Sequence, residues 1–292
     1  MPSPNPYREC IVRDPEASPA VTVLSYHHDV LETVLERVRQ GVDSRNNQCK
    51  ATVLISANPG MGKTHLLARF IELLGSQAFP VFVPPIHETR GLARGVLDRM
   101  VSRLWRMRGA GGVLNQFEWL ALQLFAASSI DDPVTAQLWR EFPLTELDQA
   151  DVQDDLRERR ETLAACLARG LEVSVAENLN EQPLHWAHAF LDILSRDVEM
   201  QSRAVDWIKG RLSTCAGVVR ENDVGGGLSE PEDEISRAER RFYDLIRLFA
   251  VVRPVVFVFD QVENFEAFGQ EALRSLIQWV ERTLACSSAT HV

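Results

Sequence analysis

The sequence predicts an α/β fold, in which a parallel sheet is flanked by helices and interrupted by a large all-helical insertion. Short, strongly apolar runs at 52–56, 79–83 and 255–259 are typical of strands that are buried on both faces. Residues with helical periodicity follow these runs, and strands that alternate with helices favour a parallel sheet. Between the second and third runs, residues 109–228 show only helical periods and polar connections.

The elements follow from these patterns in chain order. An irregular start and a leading helix between 26 and 42 precede the strand 52–56, and a glycine-rich turn ends that strand. Helices are predicted at about 63–74 and 90–107, on either side of the strand 79–83, and at about 270–284 after the strand 255–259. In the insertion, helices are predicted near 113–127, 133–141, 151–176, 183–199 and 201–213. The predicted domains are an N-terminal segment 1–50, a first core half 51–108, the insertion 109–228 and a second core half 229–292.

Composition narrows the possible classes of protein. The chain has 292 residues, of which 45% are apolar and 25% charged, as in a globular protein with a real core. A formal net charge of −10 argues against non-specific binding to phosphate backbones. Five scattered cysteines suggest neither a disulfide framework nor a zinc site. We find no signal peptide and no run long enough for a membrane helix, so a cytoplasmic protein is expected.

The turn after the first predicted strand matches the phosphate-binding P-loop (Walker A) motif, with alanine in place of its first glycine. Gly60 and Gly62 allow successive backbone amides to point inward at phosphate oxygens. Lys63 supplies a positive charge for the β- and γ-phosphates, and Thr64 offers its hydroxyl to Mg²⁺. The predicted nucleotide-binding residues are Ala57, Asn58, Pro59, Gly60, Met61, Gly62, Lys63, Thr64 and His65.

The third predicted strand ends at Asp260, in the position of a Walker B aspartate. A nucleotide site of this kind needs a carboxylate at a strand end to hold the water shell of Mg²⁺. We therefore predict that Thr64 and Asp260 form the metal site, and that Lys63 and Asp260 take part in catalysis. ATP is favoured over GTP, because the Asn-Lys-x-Asp motif that reads guanine is missing from the sequence.

Together, the loop 58–64 and the sequence 260–263 after an apolar strand resemble the AAA+/STAND division of P-loop ATPases. The similarity is greatest to origin-recognition-like ATPases and prokaryotic conflict-system ATPases, and it covers about 24–108 and 233–292. It implies a P-loop NTPase sheet, ATP and Mg²⁺ as cofactors, and a hydrolase that acts on a protein partner or as a homo-oligomer. By this resemblance the sensor-1 strand begins near residue 288, so the chain is expected to be C-terminally incomplete.

The resemblance also indicates where hydrolysis could depart from the family pattern. These ATPases usually place a catalytic glutamate directly after the Walker B aspartate, but this chain has Gln261, whose amide cannot act as a base. Glu263 is the alternative base. Two functions stay open on this evidence: an ATPase that remodels or loads a protein or nucleic-acid partner, and a slow nucleotide-held switch, such as one in phage defence.

Two further groups of polar residues each share one face of a predicted helix. Arg99, Arg103 and Arg106 share one face of the helix predicted at 90–107, which is typical of a solvated surface. The same arginines allow a third hypothesis, a nucleic-acid-binding module with a vestigial P-loop. His185, His188 and Asp192 also share a helix face, but without a fourth ligand packing is the preferred interpretation.

Overall fold

A computed structural model of the chain describes residues 28–43, 63–74, 78–83, 91–106, 114–128, 150–175, 179–214, 233–260, 269–286 and 290–291. The chain divides into two compact units. The sheet unit combines 1–92 with 253–292, and the helical unit is 93–252. Within the described residues, none of the helices combines the length and the apolar character that crossing a bilayer requires.

The described residues form ten helices and three strands. In chain order they are α1 (His28–Asp43), α2 (Lys63–Leu74), β1 (Phe79–Val83), α3 (Leu92–Arg106), α4 (Gln116–Ser128), α5 (Ala150–Glu158), α6 (Arg160–Ser174), α7 (Pro183–Leu194), α8 (Val198–Ile208), α9 (Glu234–Val252), β2 (Val255–Phe259), α10 (Gln270–Cys286) and β3 (Thr290–His291).

The sheet has the order β1-β2-β3, and all of its pairs are parallel. Phe79 lies opposite Val255, and the register continues to the end of both strands. The amide of Phe79 also donates a hydrogen bond of 2.7 Å to the carbonyl of Pro254, which fixes the start of the pair. Because successive side chains of a strand point to opposite faces, β2 presents two different surfaces to its surroundings.

One surface of β2 carries Val256 and Val258, which are buried in a core with apolar residues of α1 and α2. These partners include Leu31, Leu35, Val38, Leu66, Phe70, Ile71 and Leu74. The other surface carries Phe257 and Phe259, whose rings both lie 5.4 Å from the ring of Trp279 on α10 in edge-on geometry. Edge-on aromatic pairs add to the hydrophobic stabilisation from burial alone. This sheet unit therefore buries β2 on both faces.

The helical unit packs helices on one another around two tryptophans. Trp186 of α7 and Trp207 of α8 are fully buried, with ring centroids 5.1 Å apart. Phe190 lies 5.9 Å from Trp186 on the same helix. These rings belong to an apolar core that α7 and α8 share. The buried residues are Trp186, Phe190, Leu191, Leu194, Trp207 and Ile208.

The predicted fold class, an α/β P-loop NTPase sheet flanked by helices, is wrong. The described chain is predominantly helical, and its parallel sheet has only two strands of five residues and one of two residues. The error has a physical cause. Because α3 follows the predicted strand 79–83 and α9 precedes the predicted strand 255–259, both were expected to cover the sheet. Their residues from 93 to 252 instead belong to the helical unit, where apolar faces bury one another.

The boundaries of the elements also differ from those predicted. The structure divides the chain after Leu92 and after Val252, whereas the predicted insertion was 109–228. The predicted helix 151–176 is interrupted at Arg159, and the helices predicted at 183–199 and 201–213 are α7 and α8. The predicted strand 52–56 and the predicted helix 133–141 lie outside the described residues.

Candidate functional site

The candidate site lies where α2 begins. Lys63 is the first residue of this helix, and Lys63, Thr64 and His65 are all half-buried. The inner face of α2 is held in the core of the sheet unit by Leu66 and Phe70, which are both buried. The first turn of any helix carries backbone amides without helical acceptors and the positive end of the helix dipole. The start of α2 is thus suited to a negatively charged group.

A hydrogen bond connects this turn to the end of β2. The Thr64 hydroxyl donates to Oδ2 of Asp260 over 2.8 Å, although the two residues are 196 positions apart in the chain. Asp260 directly follows β2 and is only 9% exposed. The sheet core sets this position, because Val256 and Val258 of β2 pack against the same α2 that carries Thr64.

The structure brings some of the predicted site residues together and leaves others undescribed. Thr64 and Asp260, the two predicted metal ligands, are in contact, and Lys63 and His65 adjoin Thr64 in the first turn of α2. The rest of the predicted loop (Ala57, Asn58, Pro59, Gly60, Met61 and Gly62) lies outside the described residues. So do Gln261 and the predicted base Glu263.

The chemistry of the Thr64–Asp260 pair fits Mg²⁺. This ion prefers oxygen ligands, and it is usually held by one or two carboxylates together with substrate phosphates and waters. Within the described part of the chain, no group of three or more histidine, cysteine or acidic side chains is arranged to hold a metal ion. A site that draws its remaining ligands from a bound nucleotide does not need such a group.

A second cluster of buried charge lies in the helical unit around Arg241, which is 1% exposed. Its guanidinium donates to Oε1 of Glu181 over 3.0 Å and to the carbonyl of Leu212 over 2.8 Å, and it also contacts the carbonyl of Trp207. The same guanidinium stacks 4.1 Å from the Trp207 ring centroid. These contacts join α9 to the segment after α8, so we interpret the cluster as structural.

Asp244 extends this cluster by one turn of α9. Its carboxylate accepts hydrogen bonds from the amides of Asn180 and Glu181, at 2.7 and 2.8 Å, and from the indole of Trp186 at 3.2 Å. Burial raises the pKa of Asp244, and these hydrogen bonds oppose that rise. Sequence reasoning missed this cluster, because single charges on amphipathic helices look like solvated positions.

The pKa of the Glu181 carboxyl is lowered, in contrast to that of Asp244. Burial alone raises the pKa of the Glu181 carboxyl, but the His185 imidazole, whose Nδ1 lies 3.9 Å away, and the charge of Arg241 outweigh it and lower that pKa to about 2. The ionised form of Glu181 is therefore the one that the folded helical unit favours.

The remaining residues weighed from the sequence are less suited to a site. Asp192 is fully buried and forms an ion pair with Arg160, and Nε2 of His188 lies 3.9 Å from Glu161. Burial lowers the pKa of His188 and raises that of Asp192. These groups interact with neighbouring helices of their own unit, as packed core residues do.

The arginines of α3 do not form the exposed row that we predicted. Arg99 and Arg106 are exposed, but Arg103 is only 6% exposed and belongs to the buried side of the helix. A basic surface on α3 is therefore reduced to its two outer members.

Comparison of the chain with protein-family models, with curated proteins and with solved structures finds no match in any of the three.

Proposed function

We propose that the chain binds ATP with Mg²⁺, using the P-loop motif 57–64, His65 and Asp260. The observation that carries the proposal is the hydrogen bond between Thr64 and Asp260. In nucleotide sites of this type, the threonine of the loop and a strand-end aspartate hold one magnesium ion next to the phosphates. Their contact supports the pairing of two motifs that are far apart in the sequence.

The proposed roles follow from the chemistry of each residue. Backbone amides of 57–62 and of the start of α2 would bind the phosphates, and Lys63 would offset their negative charge. Thr64 and Asp260 would hold Mg²⁺, which when bound neutralises charge that develops on the transferred phosphoryl group. Glu263 is the proposed base that orients the attacking water and accepts its proton.

We further propose that hydrolysis drives the remodelling or loading of a protein or nucleic-acid partner in the cytoplasm. The sequence favours one alternative, because Gln261 follows Asp260 where a catalytic glutamate is usual. In that alternative the chain binds ATP tightly, turns it over slowly and acts as a switch. The third hypothesis, a nucleic-acid-binding module, loses support because Arg103 is buried.

Nucleotide binding is best tested by calorimetric titration of ATP into the full chain, with Mg²⁺ and with EDTA. We expect Lys63→Ala and Asp260→Asn each to weaken ATP binding by about tenfold or more, since a charge-assisted hydrogen bond contributes roughly 1.5–3 kcal/mol. Arg39→Ala, which removes an exposed positive charge from α1, is the matched control and should bind like wild type. Unchanged binding by both site variants would contradict the proposal.

Turnover separates the two candidate functions. If the chain is a remodelling ATPase, multiple-turnover hydrolysis is measurable and Glu263→Gln abolishes it while ATP still binds. If it is a switch, wild type retains bound ATP without release of phosphate, and Glu263→Gln changes nothing.

A further inference from the structure

Helix α10 carries a second apolar stripe in addition to the one that it buries. Its inner face packs on the sheet unit and consists of Ala272, Leu276, Trp279, Thr283 and Cys286. Another set of apolar residues recurs along the helix at spacings of four, three and four residues. This outer stripe consists of Leu273, Ile277, Val280 and Leu284. At about 100° per residue, both sets form continuous lines along the helix.

The outer stripe is accessible to solvent. Leu273 is 40% exposed and Ile277 is 49% exposed, while Val280 and Leu284 are partly exposed. Single exposed apolar residues are normal, but a line of them along one helix marks an interaction surface. The spacing is that of the seam along which two helices pack side by side.

The charges beside the outer stripe indicate what packs on it. Arg274 and Glu281 are both exposed and lie on the solvent side of the stripe. Charged residues that flank such a seam determine which helix pairs with it and whether the two helices run parallel or antiparallel. They have opposite signs and lie near opposite ends of the stripe. When a second α10 is placed antiparallel on the first, Arg274 of each copy lies beside Glu281 of the other. A parallel arrangement does not bring these two positions together.

We propose that α10 pairs antiparallel with α10 of a second copy of this chain, with the outer stripe at the centre of a two-fold symmetric dimer. In this arrangement Ile277 of one copy packs beside Val280 of the other, and Leu273 packs beside Leu284. A two-fold contact of this type is self-complementary, as symmetric dimers require. Two single helices bury less than about 1,200 Å² in total, so the dimer is weak and depends on concentration.

The two charges allow a test that distinguishes this pairing from any other association. Sedimentation velocity of the full chain over a wide concentration range should show reversible dimerisation. Arg274→Glu and Glu281→Arg each place like charges opposite one another twice per dimer, so each should weaken self-association by about tenfold or more. An equimolar mixture of the two variants should associate again, because every facing pair is then opposite in charge. The double variant R274E/E281R should restore the homodimer.

Two controls keep the result interpretable. Arg282→Glu makes the same change of charge on the far side of α10 and should dimerise like wild type. Ile277→Asp places a charge in the centre of the stripe and should abolish the dimer, while circular dichroism checks that the chain is still folded. A monomeric wild type at all concentrations overturns the proposal. So does association that the charge variants leave unchanged, or a mixture that fails to associate.

Discussion

The two units of the chain use buried charge differently. In the helical unit, Glu118, Arg241 and Asp244 are each almost fully buried and interact with groups of the same unit. In the sheet unit, Asp260 meets the hydroxyl of Thr64 at the start of a helix. The first arrangement joins helices to the segments between them, whereas the second joins the two segments that carry the predicted metal ligands Thr64 and Asp260. Substitutions of the buried charges should therefore mainly affect stability in the helical unit and ligand binding in the sheet unit.

The largest effect is expected for Arg241→Ala, which breaks the main cluster of the helical unit. It leaves Glu181 and the carbonyls of Trp207 and Leu212 without their buried donor. Removing one partner of a buried charged group costs about 3–5 kcal/mol of unfolding free energy. Urea unfolding followed by tryptophan fluorescence measures this loss, and a Trp279→Phe background leaves only tryptophans that lie within 93–252.

Arg240→Ala is the matched control, because Arg240 is the neighbouring residue on α9 and lies 3.4 Å from the same Glu181. Its side chain is 40% exposed, so the pair is expected to contribute less than about 1 kcal/mol. Equal losses for the two arginines would contradict the distinction between a buried structural cluster and surface pairs.

A smaller difference in unfolding free energy is expected between alanine substitutions at two glycines, one in each unit. Gly210 of the helical unit has a φ of +81°, and a Cβ added there would lie 2.6 Å from the backbone nitrogen of Ala238. Gly269 of the sheet unit has a φ of +88°, but a Cβ there meets no described atom within 4 Å. Gly269→Ala therefore carries backbone strain alone, about 1–2 kcal/mol.

Gly210→Ala adds an overlap with the backbone of α9 and should cost about 1–3 kcal/mol more than Gly269→Ala. Thermal unfolding of both variants measures the difference. Similar costs would show that α9 moves away easily, and that the contact between Gly210 and Ala238 does not hold the helical unit together.

A third comparison concerns how the stability of the fold depends on pH. The pKa of Glu181 falls from 4.5 in the unfolded chain to about 2 in the folded protein, so ionised Glu181 stabilises the fold above pH 4.5. This contribution is lost progressively as the pH falls from 4.5 towards 2. The raised pKa values of Asp192 and Asp244 act in the opposite direction.

The Glu181 contribution is measured as the difference in unfolding free energy between wild type and Glu181→Gln at each pH. We expect a constant difference above pH 5 that shrinks below pH 4.5. A difference that grows on acidification would exclude the charged pairing of Glu181 with Arg241.

The smallest effect on stability is expected in the sheet unit. Thr64→Val keeps the shape of the side chain and removes its hydrogen bond to Asp260, which should cost roughly 0.5–1.5 kcal/mol. The effect on Mg²⁺-dependent ATP binding should be at least as large, about tenfold or more, which corresponds to about 1.4 kcal/mol. Thr33→Val on α1, where the hydroxyl bonds to the carbonyl of Asp29, is the control and should leave ATP binding unchanged.

The sequence predicted what local patterns determine. The strands at 79–83 and 255–259 and the extent of α2 agree with the structure, because each is a short apolar or amphipathic stretch with clear ends. The contact of Thr64 with Asp260 lies between two recognisable motifs, so the sequence also indicated which distant residues should be close. Local pattern did not reveal which unit α3 and α9 belong to, since amphipathic helices look alike whether they pack on a sheet or on helices.

The sequence pattern also did not reveal which charged residues are buried. Arg103, Arg241 and Asp244 are charged residues on amphipathic helices, and their burial depends on partners far away in the sequence. Asp244, for example, binds amides more than sixty positions earlier. A pattern of apolar residues contains no information about such partners.

The direction of one hydrogen bond has a consequence for the ion that the site is proposed to hold. A hydroxyl group has one proton and two lone pairs, and the Thr64 proton points at Asp260. The oxygen of Thr64 therefore turns its electron pairs, rather than its proton, towards whatever else approaches. It is oriented in advance as a Lewis base, and a serine at this position would retain that property whereas a valine would not.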